Sequence, residues 1–166
     1  MRYNDDGDHM AEKTNAVRLV QLAKVPCKEA FYDYDEKDLN GMHAAEAVGM
    51  PPEQVFKTLV ARGDRTGINI FCIPVCCELD LKKAAKATGD KKIELVAVKE
   101  LLALTGYIRG GCSPIGMKKR YPTFIDETCT LWDEIAVSAG ARGHQLILSP
   151  EALVQLVHAT TTDIIQ

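Results

Sequence analysis

The chain has 166 residues, 46% of them hydrophobic and 26% charged, and a formal net charge of −3. That length suits one domain with one core, and the charge disfavours indiscriminate coating of nucleic acid. No apolar run approaches the roughly 20 residues that cross a bilayer, so the expectation is a cytosolic protein without membrane association.

In chain order, residues 1–12 are polar and acidic and read as a flexible leader, with no signal peptide. Thr14 is placed to cap a helix whose apolar positions Ala16, Leu19, Val20 and Ala23 follow helical spacing, ending before Pro26. Residues 27–34 read as a strand; Asn40 and Gly41 mark a turn into a second helix that Gly49 closes. After Pro51 and Pro52, residues 55–61 are rich in β-formers, and the continuous apolar run 68–75 predicts a strand covered on both faces. Asp80 caps a helix over 81–88 that Gly89 stops. Residues 93–98 read as a strand, 99–104 as a short helix, and 105–119, with four glycines and a proline, as a structureless loop. Strands are expected over 123–126, 132–137 and 145–148, before a last helix that Ser149 and Pro150 begin. Strands interspersed with single helices indicate an α/β or α+β domain around a mixed sheet.

Six cysteines, at 27, 72, 76, 77, 112 and 129, do not form the pattern of a short secreted chain. Cys72, Cys76 and Cys77 lack the spacing of a zinc site, so buried, reduced thiols and no metal are expected. Charge is unevenly spread. Residues 82–120 hold ten basic residues against Asp90, Glu94 and Glu100, a local +7 on an acidic chain. This is either a set of solvated helix faces or one face suited to phosphates.

Three segments are candidates for chemistry. Strand periodicity places Lys57 on the same face as Val55 and Leu59. There it either snorkels at a sheet edge, pairs with an anion, or lines a cleft where it holds a phosphate or polarises an ester. Thr58 points to the opposite face, although its backbone reaches the same edge. The loop 106–116 matches neither G-x-G-x-x-G nor the P-loop, which disfavours a nucleotide triphosphate site. It is a connector or a backbone cradle for an anion, and its length favours function. The small residues 137–143 form either a tight turn or the wall of a pocket for a small side chain. Cys112 lacks a recognisable base among the four histidines, and Ser113 and Ser138 lack the G-x-S-x-G elbow.

Together, VFKTL at 55–59, ELDLKKAAK at 78–86, TGYIRGGCSPIG at 105–116 and VSAG at 137–140 resemble the YbaK/EbsC family. These are bacterial Cys-tRNA(Pro) deacylases, related to the editing domain inserted in bacterial prolyl-tRNA synthetases. The resemblance runs from about residue 13 to residue 164, with the motifs in family order. It implies one α/β (α+β) domain over 13–166, built on a curved, mixed, partly barrel-like β-sheet with surrounding helices. It implies a trans-acting editing enzyme that acts on Cys-tRNA(Pro) without a cofactor, with Lys57 as the essential lysine and prolyl-tRNA synthetase as a partner. Tyr32, Thr58, Gly110, Gly111, Ser113, Pro114, Ser138 and Gly140 are the implied substrate contacts. Arg109, Lys118, Lys119 and Arg120 are the expected RNA contacts within the basic segment. Asn40 stands where some members carry phenylalanine, and Gln145 where some carry aspartate. In the family's chemistry the substrate's own cysteine sulfur attacks its ester carbonyl, so the enzyme needs neither nucleophile nor base. The alternatives are a non-catalytic module that docks on tRNA or a synthetase, and an editing deacylase for alanine or serine.

Overall fold

The computed structural model describes residues 2–3 and 13–166; apart from Arg2 and Tyr3, the expected leader lies outside the described residues. Local sequence signals start most of the elements. Thr14 Oγ1 accepts the Val17 N–H and opens α1 (Asn15–Leu22), while its own hydroxyl donates to the Ala139 carbonyl. Asn40 Oδ1 accepts the Met42 N–H at 2.9 Å and caps α2 (Gly41–Val48), so this side chain is committed to the helix end. Asp80 accepts from the Lys82 and Lys83 amides and caps α3 (Leu81–Thr88). Ser149 caps α5 (Pro150–Val157), and α4 (Leu101–Thr105) is a single short turn that Gly106 ends. Each cap satisfies amides that the helix cannot pair internally.

The strands form two sheets. The first is antiparallel, in the order β1 (Arg2–Tyr3), β2 (Cys27–Phe31), β8 (His144–Leu148), β7 (Ile135–Ala141). The second runs β5 (Ile93–Leu95), β3 (Phe56–Gly63), β4 (Gly67–Pro74), β6 (Thr123–Asp126), β9 (Thr160–Thr162). In it β5, β3 and β4 are antiparallel, whereas β4, β6 and β9 are parallel. A parallel bridge between Val55 and Ala136 links the two sheets. The expected mixed sheet is therefore two sheets, and among the described residues they do not close into a barrel.

The run over 68–75 is covered on both faces, as its unbroken apolarity predicts. Ile70 and Cys72 pack with Phe56, Val60, Ile125, Ile135, Leu146 and Leu153 between the sheets. Phe71 and Ile73 pack on the other side with Ala84, Ala85 and Phe124, Phe71 stacking on Phe124 at 5.4 Å. A third cluster joins Ala30, Val55 and Ile147 to α2.

Three expectations from the sequence change. The strand expected over 93–98 stops at Leu95, because Glu100 turns back to accept the Ala97 N–H at 3.1 Å and starts a helical turn. The strand expected over 132–137 begins at Ile135, since Asp126 caps a 3-10 turn over Glu127–Leu131. The strand β9 was not anticipated: its three threonines carry no alternating apolar signal, and only the edge of β6 recruits them. Buried thiols hold at Cys72 and Cys129 but not at Cys76, which is exposed; all six cysteines are free.

At the far end of β3, Asp90 ties the β3–β4 turn to α3. Its carboxylate accepts from the Arg65 and Thr66 amides, both at 2.8 Å, and from the Thr66 and Thr88 hydroxyls, both at 2.6 Å. Burial opposes its ionisation, but these donors outweigh burial and hold the carboxyl down to about 2. Gly63 makes the approach possible, since a Cβ there would lie 2.0 Å from Asp90 Oδ2.

Candidate active site

At the opposite end of β3 the sheet is unfinished. β5 pairs only with Ala61, Arg62 and Gly63, so the stretch 57–59 has no strand beside it on that edge. Two backbone bonds set the alternation: the Val75 N–H donates to the Val55 carbonyl, and the Val96 N–H to the Val60 carbonyl. Odd-numbered residues of β3 thus bond toward β4, and the amide and carbonyl of Thr58 face the open edge. The Thr58 hydroxyl points the other way, 3.7 Å from Cys72 Sγ.

A cleft of about 690 Å³ lies along this edge, within the ~300–1,000 Å³ usual for small-ligand sites. Lys57, Thr58 and Leu59 form one wall; the loop residues Arg109, Gly110 and Cys112 and the turn residues Arg142 and Gly143 form another. Tyr32, Ser138 and Gln145 close one end, and Val96, Val98 and Leu101 make an apolar lip. Lys57 is half-buried and, among the described residues, has no hydrogen bond or ion pair. Its charge is felt at Cys77, where it works against the burial that pushes that thiol up to about 11. Lys57 is among the residues that line the cleft.

The closed end is small and polar. Ser138 stands opposite Gln145 in the β7–β8 register, and its hydroxyl accepts the Gly140 N–H at 3.1 Å. Gln145 Nε2 donates to the Tyr32 hydroxyl at 3.3 Å, while its Oε1 is buried without a partner among the described residues. Burial raises the Tyr32 phenol, against hydrogen bonds from Gln145 and Gly143, so the phenol stays protonated. His144 next door is held neutral by burial, which outweighs its 2.9 Å contact with Glu29, and it stacks on Phe31.

The expected site residues separate into two groups. The structure brings Lys57, Thr58, Tyr32, Arg109, Gly110 and Ser138 into the cleft. Gly111, Ser113, Pro114 and Gly140 are not among the lining residues. Ser113 is fully buried and accepts the Ile115 amide within a turn, and Gly140 packs against Tyr107 and Thr14. Gly111 lies so close to the end of β7 that a Cβ would stand 3.1 Å from Ala141 and from the Arg142 nitrogen. Lys118, Lys119 and Arg120 are exposed and do not line the cleft. Sequence reasoning missed Arg142 and Lys37 as lining cations; only the register of β7 against β8 places Arg142 there.

Among the described residues no nucleophile–base pair emerges. Burial pushes Cys112 up to about 11 despite a hydrogen bond with Thr105, so its thiol stays protonated near neutral pH. Among the described residues no group of three or more His, Cys, Asp or Glu is placed to hold a metal ion. Among the described residues no helix is long and apolar enough to cross a membrane.

Comparison with known proteins adds four findings. A family model described as "Aminoacyl-tRNA editing domain" matches residues 42–156. The chain is 48% identical over 153 residues, 92% of its length and 93% of the relative's, to "Putative Cys-tRNA(Pro)/Cys-tRNA(Cys) deacylase EbsC" of Enterococcus faecalis. It is 29% identical over 104 residues to a proline–tRNA ligase of Shouchella clausii, covering 63% of this chain but 18% of that protein. Among solved structures, "Crystal structure of a putative trans-editing enzyme for prolyl tRNA synthetase" superposes with a TM-score of 0.79 at 26% identity, covering 94% of this chain and 99% of that one.

Proposed function

Since this chain belongs to the aminoacyl-tRNA editing domain family, we propose that it is a trans-acting deacylase that clears cysteine from mischarged Cys-tRNA(Pro). The observation that carries this reading is a cleft with an unpaired cation, Lys57, and no thiol or hydroxyl activated by a base. Such a site suits a substrate that supplies its own nucleophile. The cysteine thiol loses its proton, its sulfur attacks the ester carbonyl, and a C–S bond forms as the C–O bond to the ribose breaks. The proton passes to the departing ribose oxygen, leaving a four-membered thiolactone and free tRNA. Lys57 favours the thiolate and the charge that develops on the carbonyl oxygen, and the Thr58 N–H on the open edge offers a second donor. The closed end formed by Tyr32, Ser138 and Gln145 holds the small aminoacyl group.

The 18% share of the proline–tRNA ligase that the chain matches supports prolyl-tRNA synthetase as a partner that supplies tRNA selectivity. The same reading puts the protein in the cytosol, where aminoacyl-tRNA is used, and assigns the whole of 13–166 to one editing domain. The two sheets bridged at Val55 and Ala136 are consistent with the partly barrel-like curvature the family resemblance implies.

Incubation of the purified protein with Cys-tRNA(Pro), Ser-tRNA(Pro) and Ala-tRNA(Pro) tests the proposal. Cysteine should be released at least ~100-fold faster than serine, because a thiol is a few per cent thiolate near neutral pH and a hydroxyl is essentially not ionised. Equal rates on all three would assign the attack to water and give a broader editing deacylase. No release above buffer would leave a binding module.

A further inference from the structure

The amino acid of an aminoacyl-tRNA has its carboxyl tied up in the ester, so the anions at that end of the molecule are phosphates. The cleft is built for an anion: Lys37, Lys57, Arg109 and Arg142 line it, against the single carboxylate of Asp38. Of these four, Arg142 is the one the fold holds in place. Arg142 and Gly143 form the two-residue turn between β7 and β8, closed by the Ala141–His144 pair. The side chain is only 22% exposed. Its Nε donates to the Arg109 carbonyl at 2.9 Å, which fixes the plane of the guanidinium. That bond exists because Gly111 lets the loop lie against Ala141 and Arg142, closer than a side chain would allow. Among the described residues, the one carboxylate near its terminal nitrogens, Glu36, stands 3.9 Å away with a side chain 77% exposed, too distant and too wet for a paired fork. The terminal nitrogens thus keep their donors for the cleft.

We propose that Arg142 is the phosphate anchor of this cleft, gripping the phosphate on the 5′ side of the terminal adenosine and so setting how far the aminoacyl ester reaches past Lys57. This assignment rests on the deacylase reading above. A planar, permanently charged fork matches a phosphate in two parallel hydrogen bonds, which a lysine cannot do. Lys118, Lys119, Arg120 and Arg109 are exposed, and among the described residues no hydrogen bond or ion pair fixes any of these four side chains in a geometry of that kind.

The test uses a pair of minimal substrates, cysteine esterified to adenosine and cysteine esterified to adenosine 5′-monophosphate. For the wild-type chain the phosphorylated ester should be cleaved with a kcat/KM ~10–100-fold higher, the range of charge-assisted hydrogen bonds. Arg142→Gln should bring that ratio close to one, and Arg142→Lys should retain part of it; thermal melts check that both variants fold. Calorimetric titration with adenosine and with adenosine 5′-monophosphate reads the same ratio without catalysis. A preference for phosphate that persists in Arg142→Gln, or a wild type that has none, overturns the assignment. If neither ester is cleaved yet the nucleotide monophosphate binds in preference to adenosine through Arg142, the anchor stands and the deacylase reading falls.

Discussion

The two ends of β3 treat their polar groups in opposite ways. Around Gly63 the strand is paired on both edges, and the nearby Asp90 carboxylate is saturated by two amides and two hydroxyls. Around Lys57, among the described residues, one edge has no strand beside it, the ammonium has no carboxylate, and the Thr58 amide faces the cleft. One end uses its hydrogen bonds to hold the fold together. The other leaves them open to water, so a ligand can take them up without breaking a bond that holds the fold. Function and stability should therefore separate along a single strand, and substitutions at its two ends should show it.

The largest effect belongs to the open end. Lys57→Ala should lower kcat/KM for Cys-tRNA(Pro) by ~10²–10³-fold, the usual consequence of losing a donor aimed at developing charge. Its melting temperature should stay close to that of the wild type, because no internal partner is lost; a variant that retains full turnover would remove Lys57 from the chemistry. The paired end of β3, around Gly63, should behave the other way. Gly63→Ala forces a methyl group into the Asp90 carboxylate, and the melting temperature should fall by ~5 °C or more while activity at low temperature survives. The same carboxylate sets a pH window. Its folded value, about 2, lies below the ordinary ~3.9 of aspartate, so its contribution is complete above about pH 4 and is lost as the pH falls from there toward 2. Melting curves of wild type and Asp90→Asn over that range should converge at the acid end.

Smaller effects are expected away from β3. Replacing Lys118, Lys119 and Arg120 together by glutamine should flatten the slope of log affinity for tRNA against log salt by up to ~3 units, with only a modest loss of turnover on saturating substrate. An unaltered slope would make these residues a solvated surface. Cys112→Ala should change the rate least, within about threefold, because a thiol held near 11 contributes no thiolate. A folded but inactive Cys112→Ala would replace the substrate's sulfur with the enzyme's own.

Much of the architecture is legible from the residues because its signals are local. Thr14, Asn40, Asp80 and Ser149 each cap the helix they precede, and a cap needs only a side-chain oxygen two or three residues before the amides it serves. The unbroken apolar run at 68–75 announces a strand buried on both faces, whatever packs against it. Strand β9 escaped because three threonines become a strand only when β6 offers an edge. Gly111, Ser113, Pro114 and Gly140 are substrate contacts only by the family resemblance; in the structure Ser113 accepts the Ile115 amide and Gly111 lies against Ala141 and Arg142, next to residues that line the cleft.

What the chain determines by itself is therefore short-range: where helices start and stop, which strands are buried, and that Lys57 shares a face with apolar neighbours. Tertiary structure decided the rest, since it depends on registers and edges that no local pattern encodes. That β5 stops after three residues opens the edge beside Thr58, and that β7 turns into β8 at Arg142 brings this side chain into the cleft opposite the glycine loop. Distant segments meet there because each sheet must bury its apolar face against the other, and the polar residues at their margins are carried along.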